Sequence, residues 1–240
     1  MTSARKTIVG ELSGRYVRQP ALRALLKLIP GWGSADGLIQ TRADEIKRER
    51  LRAFFDELAN GQTVLSSELI ESEDFLHCFF KTTHAALHTR RREKIAMFAC
   101  MLKGALRDGT FSEIEDYEEL LSVIDSISYR QFAVLCLLRG YEIQYSGKHF
   151  ENNVQRVEAY WDKFRKKACA SLGIDEVAFQ PFMTRLEATG LYARNIGGWG
   201  SNPSIGTTTK ILEKLSILVE NKEQHHCRSH ADARNSGARR

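Results

Sequence analysis

A chain of 240 residues that is 42% apolar can bury one large core or two small ones. Its formal net charge of +5 is modest for that length, so overall charge alone argues little for an anionic partner. Five cysteines, odd in number and widely spaced, exclude a disulfide framework and fit buried free thiols in a reducing compartment. No run of about 18 uninterrupted apolar residues marks a membrane span, and Met1 to Gly10 has no apolar signal-peptide core. The expectation is a soluble, cytoplasmic protein.

Charge is unevenly placed. Residues 1–60 carry 11 basic against 7 acidic side chains, 61–127 carry 7 against 12, 128–220 carry 12 against 9, and 221–240 carry 5 against 2. Composition and pattern divide the chain into a poorly ordered start (1–19), a helical lobe (20–127), a second domain (128–220) and a basic, disordered tail (221–240).

Pro20 opens the first predicted helix, with Leu22, Leu25, Leu26 and Ile29 on one side; Pro30 and Gly31 end it. The Pro30 to Gly37 stretch, which contains Trp32, reads as a tight turn under the core. Its alternatives are a phosphate-cradling loop and, together with the short basic helix before it, a contact with a membrane surface. Leu38 to Leu58 reads as a long amphipathic helix with Leu38, Ile46, Leu51, Phe54, Phe55 and Leu58 inward and a mixed-charge solvent side. Asn60 and Gly61 stop it.

Ser72 is placed to cap the next helix, with Glu73 and Asp74 in its first turn. Phe75, Leu76, Phe79, Phe80 and Leu87 form the expected buried stripe. His77, His84 and His88 share a sector of that helix, and neutral imidazoles four residues apart suit zinc. A polar helix edge is the preferred reading, because a site needs a third ligand and the metalloprotease motif is absent; no metal or other cofactor is expected. Arg90, Arg91 and Arg92 then precede a helix with Ile95, Phe98, Met101, Leu102 and Leu106 inward. These arginines would grip a phosphate or bridge to the acidic stretch from Glu113, which Ser112 and Glu115 open as a capping box.

Ser128 and Gln131 make a second capping box, before a helix burying Phe132, Leu135, Cys136 and Leu138. A polar connector spans Tyr145 to Asn153. The following helix turns Tyr160, Phe164 and Ala168 or Cys169 inward and leaves Lys163, Lys166 and Lys167 outside, as contacts to a nucleic-acid backbone or as lysines snorkelling on an ordinary helix. Gly173 ends it. Asp175 caps a helix with Val177, Phe179, Phe182 and Leu186 inward and Gln180, Thr184, Glu187 and Ala188 outward, with Pro181 tolerated near its first turns.

The run RLEATGLYAR, then GGWGSNPSIG, then TTTKILEKLSILV looks like helix, wing strand, turn, second strand and closing helix. With the helices before it, residues 128–219 resemble the winged-helix superfamily, while residues 20–125 resemble uncharacterised bacterial helical proteins. The expected fold is mainly α, a helical N-terminal lobe followed by a winged-helix-like domain with a small β-ribbon. The resemblance implies base contacts from Gln180, Thr184 and Arg185 and backbone contacts from Arg194 and Lys210. Asp175, Glu176 and Glu187 against Arg185 make the candidate recognition helix acidic, which opposes approach to phosphates.

No nucleophile, carboxylate pair or nucleotide fingerprint marks an enzyme. The chain therefore reads as a non-enzymatic nucleic-acid-binding regulator whose first lobe forms a homodimer or senses a signal. The alternative is a protein-interaction or scaffold subunit in a bacterial stress or phage-defence assembly. The tail residues His225, His226, Cys227 and His230 read as incidental composition.

Overall fold

The computed structural model describes residues 16, 19–29, 38–60, 70–108, 114–195 and 205–219. It is mainly helical, with one small antiparallel ribbon. The chain divides into two compact units, Met1–Ser122 and Val123–Arg240.

The first unit contains α1 (Pro20–Leu28), α2 (Leu38–Ala59), α3 (Glu73–His88), α4 (Arg92–Asp108) and most of α5 (Ile114–Ser126). Pro20 lies in the first turn of α1, and Leu22, Leu25, Leu26 and Ile29 are buried. Helices α2, α3 and α4 pack on one another. Rings of Phe54, Phe55, Phe75 and Phe79 chain through the core with centroids 5.7 to 6.2 Å apart. Tyr16 joins them, tilted against Phe55 at 6.0 Å while its hydroxyl donates to Asp56 Oδ1 at 2.7 Å.

Helix α4 is buried almost all round, and it carries the buried cation Lys103, 3% exposed. The ammonium donates to the carbonyls of Glu57 and Asn60 at 2.8 and 3.0 Å and to Glu57 Oε1 at 3.1 Å. It thus caps the end of α2, where orphan carbonyls and the helix dipole favour positive charge. Arg50 likewise donates to the Leu87 carbonyl at the end of α3.

Two buried stripes depart from the expectation. In α2 the buried positions are Leu51, Phe54, Phe55 and Leu58, and Ile46 is 37% exposed because it falls on the opposite side of that i, i+3, i+4, i+7 set. In α3 the stripe runs through Phe75, Cys78, Phe79, Thr82 and Ala86; Phe80 is 40% exposed, and Leu76 and Leu87 are half-buried. Small side chains set the face here. Thr82 loses no hydrogen bond on burial, since its hydroxyl meets the Cys78 carbonyl at 2.7 Å and Tyr117 Oη at 2.6 Å. Ile95, Phe98, Met101 and Leu102 of α4 are buried as expected and Leu106 is half-buried.

The second unit holds α6 (Tyr129–Ser146), α7 (Asn153–Leu172), α8 (Glu176–Glu187), β1 (Tyr192–Arg194), β2 (Gly206–Thr208) and α9 (Lys210–Val219). Each helix start has its chemical cause. Ser128 and Gln131 form the reciprocal capping box of α6, with bonds of 3.2 and 2.8 Å. Asn152 caps α7 through Gln155 N at 2.9 Å and Asp175 caps α8 through Val177 N at 3.0 Å. Gly173 ends α7 at φ 62°, a left-handed conformation that side chains disfavour. The connector before α7 is shorter than the sequence suggests, because α6 continues to Ser146.

Helix α7 packs on α6 and α8, α8 on β1, and α6 on β2. Between them lie Trp161, Phe164, Phe179 and Tyr192, with ring centroids 5.2 to 6.5 Å apart. The two strands pair Tyr192 with Thr208, Ala193 with Thr207 and Arg194 with Gly206. Gly206 is needed at its place, since a Cβ there would strike the Ala193 carbonyl oxygen and the Tyr192 phenol. The Pro30 to Gly37 turn, Ser112, Trp199 and the tail from 221 lie outside the described residues.

Candidate functional site

The sequence of helices α7 and α8, joined by Gly173–Asp175 and followed by the ribbon, sets the candidate nucleic-acid contacts on defined surfaces. On α7, Val157, Tyr160, Trp161, Phe164 and Ala168 are buried. That stripe turns Lys163, Lys166 and Lys167 outward together, and all three are exposed. Their environments differ. Lys163 lies against Tyr145, with its ammonium 3.1 Å from the phenol oxygen and 5.9 Å from the ring centroid. The ammonium groups of Lys166 and Lys167 make no ion pair or hydrogen bond among the described residues.

On α8 the buried set is Phe179, Phe182, Met183 and Leu186. Val177, expected inward, is 86% exposed because it lies opposite that stripe. With Pro181, Thr184 and Ala188 it makes an exposed face whose own side chains are uncharged. Pro181 is at the sixth helical position and not in the first turn, so it deprives the Val177 carbonyl of its helical donor at a site open to solvent. Gln180 is half-buried and its carbonyl accepts from the Thr184 hydroxyl at 3.2 Å. Arg185 is exposed and its guanidinium lies 5.6 Å from the Phe182 ring centroid.

Arg194, on β1, reaches back to α8. Its Nη2 donates to Glu187 Oε2 at 2.7 Å and to Thr184 Oγ1 at 3.2 Å. Of the three acids that weighed against phosphate approach, Glu187 is therefore paired internally, and these two bonds occupy two of the expected contact residues, Arg194 and Thr184. Lys210, the first residue of α9, is exposed and unpaired among the described residues.

Glu142 of α6 had no role in the sequence reading. It is 7% exposed. One carboxylate oxygen accepts from Thr208 N at 2.7 Å and the other from the Thr208 hydroxyl, while Arg139 Nη1 stands at 3.6 Å. The carboxylate so ties β2 to α6, an anchor a ribbon of two three-residue strands needs. Its signal was available: Leu138, Glu142 and Tyr145 fall at i, i+4, i+7, which places an acid in a buried stripe. Burial raises the phenols of Tyr160 and Tyr192 above the ordinary tyrosine value, and the Glu142 charge adds to the effect at Tyr160.

In the first unit His84 and His88 are exposed, with ring centroids 4.4 Å apart. His77 is turned away to Glu118, at 2.5 Å. No group of three or more His, Cys, Asp or Glu is placed to hold a metal among the described residues. The acidic stretch of α5 is matched by Lys81 and His77, both bonded to Glu118, and Arg90, Arg91 and Arg92 make no ion pair among the described residues. Lys81 first, then His77, holds the Glu118 carboxyl below the usual carboxylate range. Burial pushes the Cys78 thiol up to about 11, which makes it a poor nucleophile.

Among the described residues no single helix is long and apolar enough to cross a membrane. Compared with protein-family models, with curated proteins and with solved structures, the chain matches none.

Proposed function

We propose that this chain is a non-enzymatic nucleic-acid-binding protein whose second unit works as a winged-helix-like module, with α7 supplying the backbone contacts. The observation that carries the reading is the exposed pair Lys166 and Lys167, whose ammonium groups have no partner among the described residues, on the helix that packs directly against α8. Phosphate contacts provide most of the sequence-independent affinity, and a lysine already engaged by an acid has less to offer. Arg185 and Lys210 extend the cationic set; Lys163 contributes less because Tyr145 holds it.

A second reading has its own support. The uncharged face of Val177, Pro181, Thr184 and Ala188 suits a protein partner better than a phosphate-lined groove, and a winged helix serves either role. In that case the chain is an interaction subunit.

Fluorescence anisotropy of the full chain and of a version lacking residues 221–240, with labelled duplex DNA and single-stranded RNA, separates the two. Salt-sensitive binding that survives loss of the tail and falls with Lys166→Glu and Lys167→Glu supports nucleic-acid binding. Binding that is absent, or that disappears with the tail alone, overturns it and leaves the protein-partner reading.

A further inference from the structure

A cleft of about 370 Å³ opens in the second unit between the C-terminal half of α6, the first turn of α7 and strand β2. Two guanidiniums, Arg139 and Arg156, line it together with the Asn153 amide and the hydroxyls of Ser146 and Thr207. Glu142 is its one acid, and both of that carboxylate's oxygens are already engaged by Thr208. Arg139 is shared between the carboxylates of Glu142 and Glu213, at 3.6 and 2.9 Å, so the positive charge left to the cleft is that of Arg156.

Several of its donors are unused. Among the described residues Arg156 gives one side-chain bond, from Nη2 to Asn153 Oδ1 at 2.5 Å, while its Nε is sealed from solvent with no hydrogen-bond partner. The Thr207 hydroxyl has no partner among the described residues. Tyr160, one turn further along α7, likewise keeps a buried hydroxyl unpaired. Orphaned buried donors are uncommon, because each forfeits a hydrogen bond that water would supply. At this cleft the Arg156 Nε is one, and the start of a 20-residue helix flanks the cleft with its positive dipole end.

We propose that this cleft binds a phosphoryl group, with Arg156 forking the oxygens, Thr207 donating to them and Arg139 turning to them from its exposed pair with Glu213. The guanidinium geometry matches a tetrahedral oxyanion. Ile143 is the one large apolar side chain of the lining and no aromatic ring belongs to it, so the cleft has no platform for stacking a base. What it selects is a phosphate monoester on a small carrier, from either of two sources: a free phosphorylated metabolite or the 5′-phosphate end of a nucleic-acid strand. The site stands whether or not α7 holds a nucleic-acid backbone.

The test is calorimetric titration of the full chain with inorganic phosphate and ribose 5-phosphate against chloride at matched ionic strength. Saturable binding is expected, weakened about tenfold or more in Arg156→Gln, the size of one lost charge-assisted contact. Circular dichroism establishes that the variant is folded; if it is not, Thr207→Val carries the same comparison, with a smaller loss. Arg139 is left intact because it also bonds Glu213 at 2.9 Å. Absence of saturable binding at millimolar phosphate, or wild-type affinity in both folded variants, overturns the site. Two oligonucleotides of one sequence, with 5′-phosphate and 5′-hydroxyl ends, then separate the sources: preference for the phosphorylated end points to a strand terminus, and no preference alongside sugar-phosphate binding points to a free metabolite.

Discussion

Replacing Lys166 and Lys167 together by alanine tests the α7 surface most sharply, because the expected effect is a slope and not only a weaker affinity. Each phosphate contact to duplex DNA contributes about 0.9 to the slope of log K against log salt, through the counterions it releases. Neither lysine has an ion pair to break among the described residues, so each counts as a full contact. Removing both makes the slope shallower by about 1.8 for duplex DNA and by about 1.4 for a single strand. Lys163 is tied to Tyr145 Oη at 3.1 Å, so Lys163→Ala changes the slope by less than one full contact. The assay is anisotropy of a labelled duplex between about 50 and 200 mM salt, the range over which a multi-contact interface loses much of its affinity, using protein that lacks residues 221–240. A double variant with the wild-type slope refutes the assignment of α7, even if its affinity falls. So does an equal change from Lys163→Ala, because the structure ranks that lysine below the other two.

Three further outcomes follow from the packing. Lys103→Met keeps the apolar stem but strands two carbonyls and the Glu57 carboxylate; a loss of about 3 kcal/mol is expected from urea unfolding, at the low end for breaking a buried pair because Glu57 retains some exposure. Adding Glu57→Gln to it recovers part of that loss, and a single variant within about 0.5 kcal/mol of wild type, the range of ordinary surface substitutions, would show that the ammonium does not cap α2. Gly206→Ala drives a methyl into backbone and ring, so a drop in the melting curve worth about 1 to 3 kcal/mol is expected; an unchanged melt contradicts the close approach of β1 and β2. Glu118 has a depressed folded-state pKa, so its contribution to stability is present above the ordinary carboxylate pKa and lost as the pH falls through the lowered value. Urea curves should therefore separate wild type from Glu118→Gln near neutral pH and converge in acid, and a pH-independent gap would deny the Lys81 and His77 bonds that role.

Much of the element order was legible because its causes are local. Ser72, Ser128 and Asp175 stand one residue before the helices they cap, Gly173 supplies the left-handed stop, and Pro20 sits where a missing amide costs nothing. Caps and breakers act within a turn, so their residue types reveal them. Facing is harder to read, since it depends on what a helix packs against. Ile46, Phe80 and Val177 are large and apolar, and all were expected inward, yet Thr82 and Ala86 of α3 are buried while Phe80 is exposed. A large side chain announces hydrophobicity, whereas close packing of helices selects the face that lets the backbones approach.

Composition and local pattern by themselves determined a mainly helical chain, the capped starts of α3, α6 and α8, the inward face of α1, and the outward lysines of α7. Tertiary structure alone decided which charges are spent and which remain. Glu142 holds β2 through Thr208, Arg194 neutralises Glu187, and Glu118 takes Lys81 and His77 instead of the three arginines. These pairs bridge 7 to 66 residues of chain. A carboxylate's partner is set by distance and burial in space, and neither is encoded in the spacing of the residues around it.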